Sequence, residues 1–197
     1  MNWIGRSLPR LEDPTLLKGG GSYVADRIGA AAAVRFVRSP VARGAIVDIE
    51  IPPDAIVFTG RDLADLKPIR PILHRPDYVP IGQPVLAIDR VVFTGQPVAV
   101  VVADSQALAE DLAEQVFVDI AATDPVLDLD LALETGADPV HPEAPNNVLV
   151  EGRMKTAGLD KAFEDAAEIV ALELRSHRQS AAPMEARAGL AEYCSFT

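Results

Sequence analysis

Cysteine is nearly absent from this chain of 197 residues, whose single thiol belongs to Cys194. One cysteine excludes an internal disulfide and cannot by itself hold an iron–sulfur cluster, so electrons reaching this protein need a centre on another chain. The three histidines, His74, His141 and His177, lie far apart in the sequence, whereas a zinc site needs ligands at short spacing. The sequence therefore predicts no metal site within this chain.

Basic residues and long hydrophobic runs are also scarce. Lys and Arg number 18 against 29 Asp and Glu, which gives a formal net charge of −11. This charge argues against nucleic acid or an anionic membrane as a partner, because both demand clustered cations. The apolar run at residues 97–103 is too short to span a bilayer, and the N-terminus lacks a signal-peptide pattern. We expect a cytoplasmic location.

The remaining composition is that of a globular protein, with 49% hydrophobic residues. Residues 98–102 are apolar on both faces, which is typical of a central buried strand. A helix is predicted next, since Asp104 or Ser105 can cap it and apolar side chains recur at every fourth position from Leu108 to Val116. Further strands are predicted at residues 34–37, 46–51, 56–58, 91–93 and 116–120. The pattern predicts an α+β fold with one helix packed on a mixed sheet.

Two segments lack any periodic pattern and divide the chain. Residues 67–84 contain five prolines and read as a surface excursion, while residues 136–147 contain three prolines and two asparagines and read as a linker. We therefore expect an extended arm (1–21), a first domain (22–135), the linker (136–147) and a second, incomplete α+β domain (148–197). In that last domain we predict strands at 148–154 and 169–176 and a helix at 160–166.

Candidate reactive residues all have a simpler explanation. Gly19, Gly20 and Gly21 could suggest a phosphate loop, but the required Lys and Ser or Thr do not follow them, and a tight turn with positive φ fits better. Cys194 with His177 upstream could suggest a thiol nucleophile, yet no local signature supports one. We assign no catalytic, cofactor-binding or metal-ligating residue to this chain.

Six stretches, in order along the chain, carry a shared pattern. They are residues 4–26 (IGRSLPRLEDPTLLKGGGSYVAD), 36–40 (FVRSP), 57–63 (VFTGRDL), 90–103 (RVVFTGQPVAVVVA), 140–148 (VHPEAPNNV) and 183–188 (PMEARA). Together they resemble the large, molybdopterin-binding subunit of the xanthine dehydrogenase, aldehyde oxidase and carbon monoxide dehydrogenase family. One departure is Gln96, which stands where that family usually has Glu.

The resemblance implies an α/β hammerhead fold for the first domain and the start of the molybdopterin-binding domain after the linker. The family binds its pterin through glycine-rich G-G-G-F-G-G loops and uses a later glutamate as a base; neither is found in this sequence. No cofactor is therefore expected in this chain, and the molybdopterin cofactor is expected in a partner or a missing domain. Glu185, in the last of the six stretches, is expected to have a structural role.

Two hypotheses of different classes follow. In the first, the chain is the N-terminal portion, or a split subunit, of a molybdenum hydroxylase that acts on aldehydes, aromatic heterocycles or carbon monoxide. Its expected partners are a cofactor-bearing molybdopterin subunit and, by resemblance, iron–sulfur and FAD subunits. In the second, the chain is a non-catalytic scaffold, an interaction module or a truncated product that keeps the hammerhead fold. Both hypotheses allow self-association, and both predict that the chain alone is inactive.

Overall fold

The computed structural model describes residues 4–27, 29, 31–176, 179–183 and 187–195. Within them the strands are β1 (Ala33–Arg38), β2 (Gly44–Glu50), β3 (Ile56–Thr59), β4 (Arg90–Val91), β5 (Pro97–Ala103) and β6 (Phe117–Ala122). The α-helices are α1 (Asp13–Leu16), α2 (Gln106–Gln115), α3 (Leu129–Ala132) and α4 (Leu159–Glu164), and a 3-10 helix covers Val24–Arg27.

The strands divide between two antiparallel three-stranded sheets. In the first sheet β5 lies between β1 and β3, and in the second β2 lies between β4 and β6. The predicted α+β fold class with a packed helix is confirmed, but the single mixed sheet that the sequence predicted is replaced by two antiparallel sheets. The strand–helix–strand unit β5–α2–β6 carries the chain from one sheet to the other, because β5 and β6 pair with different neighbours.

The chain forms two compact units. One comprises Ala32–Val170 and contains both sheets, and the other comprises Met1–Ala31 with Ala171–Thr197. The predicted boundaries at 135 and 147 stay predictions. Among the described residues, no helix has the length and apolar character that crossing a bilayer requires.

The predicted central strand and its helix are both present. Ala99 and Val101 of β5 are fully buried, and α2 packs on β1 and β5. The helix begins where the sequence indicated, because the Ser105 hydroxyl accepts a hydrogen bond from the Leu108 amide at 3.2 Å. Ala109, fully buried, lies on the inner face of this helix.

A core joins the start of β5 to the second sheet. Ala87, Val91 and Val98 are almost completely buried, and half-buried apolar side chains from three strands and one turn surround them. Those side chains are Val37, Val41, Ile46, Val118 and Ile120. The core therefore depends on the loop that precedes β4 as much as on the strands themselves.

The T-G-x-D turn after β3 has a clear structural cause. Asp62 caps the end of β3, since one carboxylate oxygen accepts hydrogen bonds from the Thr59 amide at 2.6 Å and the Thr59 hydroxyl at 2.8 Å. These bonds lower the pKa of Asp62 below its ordinary value. Gly60, between them, is buried and lies against the backbone of Ala87 and Ile88.

The tail differs from the sequence prediction. Residues 148–154 and 169–176 are not strands in the structure, and they pair with no strand of the described chain. The prediction of strands there is wrong. Apolar and β-branched residues favour strands, but a strand also needs a neighbouring strand to bind its backbone groups. The predicted helix at 160–166 is present as α4, which begins after Gly158 at a φ of 78°.

The Asn147 side chain makes several of the hydrogen bonds that hold the linker. Asn147, at a φ of 58°, accepts a hydrogen bond from the Val140 amide at 2.8 Å. Its amide nitrogen donates to the carbonyl oxygens of Ala132 at 3.0 Å and Asp138 at 3.1 Å. Ala144, between these ends, is buried. This segment therefore has defined tertiary contacts although it has no helix or strand.

We predict that Gly60→Ala lowers the free energy of unfolding by about 1–3 kcal/mol, as overpacking typically does. The added Cβ would lie 2.7 Å from the Ala87 carbonyl carbon and 2.9 Å from the Ile88 Cα, both of which are backbone atoms. Gly152→Ala is the matched control, since its Cβ would meet only the Arg75 guanidinium, at an ordinary 3.5 Å. Equal denaturation midpoints for the two variants would contradict the assigned close approach.

We also predict that Asn147→Ala speeds limited proteolysis within residues 136–147 by roughly tenfold, because three backbone groups lose their partner. Asn147→Gly should be cleaved as fast, although it tolerates the positive φ, since the side-chain bonds are lost in both. Asn146→Ala is the control, because Asn146 accepts one bond, from the Val148 amide at 3.2 Å. Rapid cleavage of the wild type at this segment would refute the assignment.

Candidate functional site

A cavity with a volume of about 570 Å³ lies in the described part of the chain. Three segments form it: the proline excursion, the stretch from Ile88 to Gln96, and the linker around His141. Its apolar wall consists of Ile69, Pro71, Ile81, Pro84, Ile88, Val92 and Phe93, and its polar groups come from Arg70, Gln83, Asp89, Arg90, Gln96, His141 and Glu143. An isolated bridge between Ile69 and Gln83 closes the excursion on itself.

The electrostatics of this cavity are balanced. Two guanidinium groups, of Arg70 and Arg90, line the cavity together with two carboxylates, of Asp89 and Glu143. Burial lowers the pKa of His141, the Arg90 charge lowers it further, and Glu143 opposes both. The imidazole is therefore held neutral, and the lining as a whole selects neither an anion nor a cation.

Gln96 fills the position where the family pattern has Glu. Its side chain is buried, and its carbonyl oxygen accepts a hydrogen bond from the Val92 amide at 2.8 Å. Its backbone carbonyl accepts from the Ser39 amide at 2.9 Å, which ties the turn before β5 to the end of β1. An amide makes these contacts without burying a charge, so the substitution is compatible with the fold.

The residues weighed from the sequence do not converge on one site. His74 lies exposed in the proline excursion, His141 lines the cavity, and Cys194 is exposed in the other unit. His177 and Glu185 lie outside the described residues. The cavity lining contains no Ser, Thr, Cys or Lys side chain that a neutral His141 could activate as a nucleophile.

The lining of this cavity does not fit a molybdopterin cofactor. Gly82 is the one glycine in the cavity lining, so no glycine-rich loop is present there to approach a pterin closely. Gly19 and Gly20 instead close the end of α1, where their amides donate to the carbonyls of Leu16 and Thr15. No three His, Cys, Asp or Glu side chains are grouped as metal ligands within the described part of the chain.

Comparison with known families decides what this arrangement is. Residues 18–124 match the family model described as aldehyde oxidase and xanthine dehydrogenase, a/b hammerhead domain. The chain belongs to the aldehyde oxidase and xanthine dehydrogenase family. The match covers both sheets and α2, and it ends two residues after β6. The resemblance stated from the six sequence stretches is thus confirmed.

Individual relatives are similar over nearly the whole chain. The nicotine 6-hydroxylase large subunit of Paenarthrobacter nicotinovorans is 34% identical over 200 residues, which cover 98% of this chain and 24% of the relative. This hammerhead chain therefore spans about a quarter of the length of that subunit. The relatives of this family include molybdenum enzymes, as the solved Cu,Mo-CO dehydrogenase shows.

Two solved structures give the same result in three dimensions. Quinoline 2-oxidoreductase from Pseudomonas putida 86 superimposes with a TM-score of 0.61 at 37% identity, covering 68% of this chain and 18% of that one. The Cu,Mo-CO dehydrogenase superimposes with a TM-score of 0.61 at 28% identity, covering 83% of this chain and 22% of that one. This fold is therefore shared with enzymes whose names give different substrates, quinoline and carbon monoxide.

We predict that NMR titration gives His141 a pKa below the ordinary 6.5, for the reasons above. Arg90→Gln should raise this pKa because it removes a repelling charge, and Glu143→Gln should lower it further because it removes an attracting one. A lower pKa in Arg90→Gln, a higher pKa in Glu143→Gln, or no change in either variant would contradict the placement of His141 between these groups.

The same shift sets a pH dependence of stability. The unfolded chain takes up the His141 proton at higher pH than the folded chain does. The contribution of neutral His141 to the free energy of unfolding is therefore complete above about pH 6.5 and is lost as the pH falls below that value. His141→Gln, which cannot titrate, should therefore lose less stability than the wild type on acidification through that range.

Proposed function

We propose that this chain is the hammerhead portion of a molybdenum hydroxylase large subunit and that it acts by binding the portion that carries the molybdopterin cofactor. The observation that carries the proposal is the asymmetry of the match: 98% of this chain aligns with the nicotine 6-hydroxylase large subunit but covers 24% of it. The chain therefore corresponds to one structural part of a larger redox subunit.

The chemistry of the described residues supports a binding role for this chain and a catalytic role for the cofactor-bearing portion. The cavity offers neither a nucleophile nor a glycine-rich cradle, and the described part of the chain has no grouped metal ligands. When bound elsewhere in the enzyme, the molybdenum cofactor would supply the oxidation of the substrate carbon. The hammerhead portion would contribute a rigid body and a binding surface.

The complete enzyme would act on an aldehyde, an aromatic heterocycle or carbon monoxide. A nitrogen heterocycle is favoured, because nicotine 6-hydroxylase and quinoline 2-oxidoreductase are 34% and 37% identical to this chain, against 28% to 32% for the carbon monoxide dehydrogenases. Iron–sulfur and FAD subunits would receive the electrons, since this chain has a single cysteine. The proposal includes a cytoplasmic location, because a chain with a single cysteine and no internal disulfide is compatible with a reducing compartment.

The test pairs this chain with a second polypeptide from the same organism, which we call the cofactor-bearing polypeptide. It is the part of a large subunit that lies outside the region matched by this chain. We predict that the tagged chain purified alone contains no stoichiometric molybdenum, iron or flavin. Co-produced with the cofactor-bearing polypeptide, it should form a complex that contains molybdenum in stoichiometric amount by elemental analysis.

The controls separate the enzyme portion from a scaffold. The cofactor-bearing polypeptide produced without this chain should be less stable to heat than the complex, because the chain then stabilises it through binding. A complex that forms but contains no molybdenum would favour the scaffold hypothesis. Failure of the two polypeptides to associate, or molybdenum bound by the washed chain alone, would contradict the proposed function.

A further inference from the structure

One face of the first sheet is apolar and open to solvent. The antiparallel register aligns six side chains in two rows across the three strands. The rows are Val34–Val102–Ile56 and Phe36–Val100–Phe58, and we call these six residues the open sheet face. The edge-strand members remain 52% (Val34), 42% (Phe36), 57% (Ile56) and 43% (Phe58) exposed.

The opposite face of the same sheet is covered by α2. Side chains alternate along a strand, so Arg35 points away from the open sheet face. Its guanidinium pairs with the carboxylate of Glu110 in α2 at 2.6 Å. Val101, which is aligned with Arg35, is fully buried. One helix therefore closes one side of the sheet, and no described residue closes the other to a comparable degree.

Such a face is unusual for a sheet surface that stays in water. Antiparallel sheets normally alternate apolar residues towards the core with polar residues towards solvent. Here both rows are apolar from edge to edge, and one phenylalanine lies on each side of Val100. Contiguous exposed apolar patches mark interaction sites, and clustered aromatic side chains provide most of the binding free energy in many interfaces.

The rim of this face also suits an interface. The Arg38 guanidinium lies 5.7 Å from the centroid of the Phe36 ring, within range of a cation–π contact. The same guanidinium donates a hydrogen bond to the Gly95 carbonyl oxygen at 2.9 Å. An aromatic centre with an arginine at its edge is the composition that protein–protein interfaces favour.

We propose that the open sheet face is the surface through which this chain binds the cofactor-bearing polypeptide; the inference rests on the function proposed above. That occupant is favoured because the solved relatives hold this fold within a much longer chain, of which the matched part is 18% in quinoline 2-oxidoreductase. The net charge of −11 disfavours a nucleic acid or an anionic membrane.

The experiment compares threonine variants, since threonine keeps a β-branched side chain suited to strands. The affinity of the purified chain for the cofactor-bearing polypeptide is measured by calorimetry. Phe36→Thr combined with Phe58→Thr should weaken binding by about 100-fold, as expected for loss of two interface aromatics. Phe117→Thr, at a 59% exposed phenylalanine of the second sheet, is the matched control and should change affinity by less than about threefold.

A second pair of variants distinguishes a loss of binding from a loss of folding. Val34→Thr and Ile56→Thr introduce one hydroxyl each at exposed edge positions and should each weaken binding by roughly tenfold, with unchanged far-UV circular dichroism. If all four substitutions leave the affinity at the wild-type value, this inference is wrong and the proposed function stands. Absence of wild-type binding overturns the proposed function and this inference with it. If the substitutions abolish self-association but leave the complex intact, the occupant is a second copy, and the inference is wrong.

Discussion

The fold of this chain depends on β5, a strand that is apolar on both faces. One face packs under α2, where Val101 is fully buried. The other begins in the core at Val98 and continues into the open sheet face at Val100 and Val102. Burial of apolar surface is the dominant favourable term in folding, so a strand with apolar side chains on both sides demands a covering layer on each. This chain supplies one such layer completely.

The turns that flank this strand fix its position. Gly60 allows the chain after β3 to contact the backbone that precedes β4, and Gln96 joins the entry of β5 to the end of β1. These residues lie in sequence stretches that resemble family motifs, yet they touch no reactive group in the described structure. They join the ends of the strands to neighbouring turns, while the antiparallel register of β1, β5 and β3 creates the two rows of the open sheet face.

The polar cavity and the open sheet face have different significance. The cavity is lined by equal numbers of guanidinium and carboxylate groups, so its chemistry names no ligand class. The sheet face is uniformly apolar and carries two phenylalanines at neighbouring positions. The sheet face therefore has the composition of a binding surface, whereas the cavity lining contains no nucleophile. The function that we propose is consistent with this distribution.

The sequence alone determined the family, the fold class and the main elements of Ala32–Val170. Periodicity located β5, and a hydroxyl at Ser105 located the start of α2, because both signals are local. The tertiary structure decided what local signals cannot: that β5 and β6 belong to different sheets, and that Asn147 orders the linker through three distant backbone groups. It also decided that residues 148–154 and 169–176, strand-like by composition, are not strands, because strand formation depends on a pairing partner rather than on the segment itself. Phe36 and Phe58 were visible in their motifs, but their adjacency across Val100 arises only from the register of three strands.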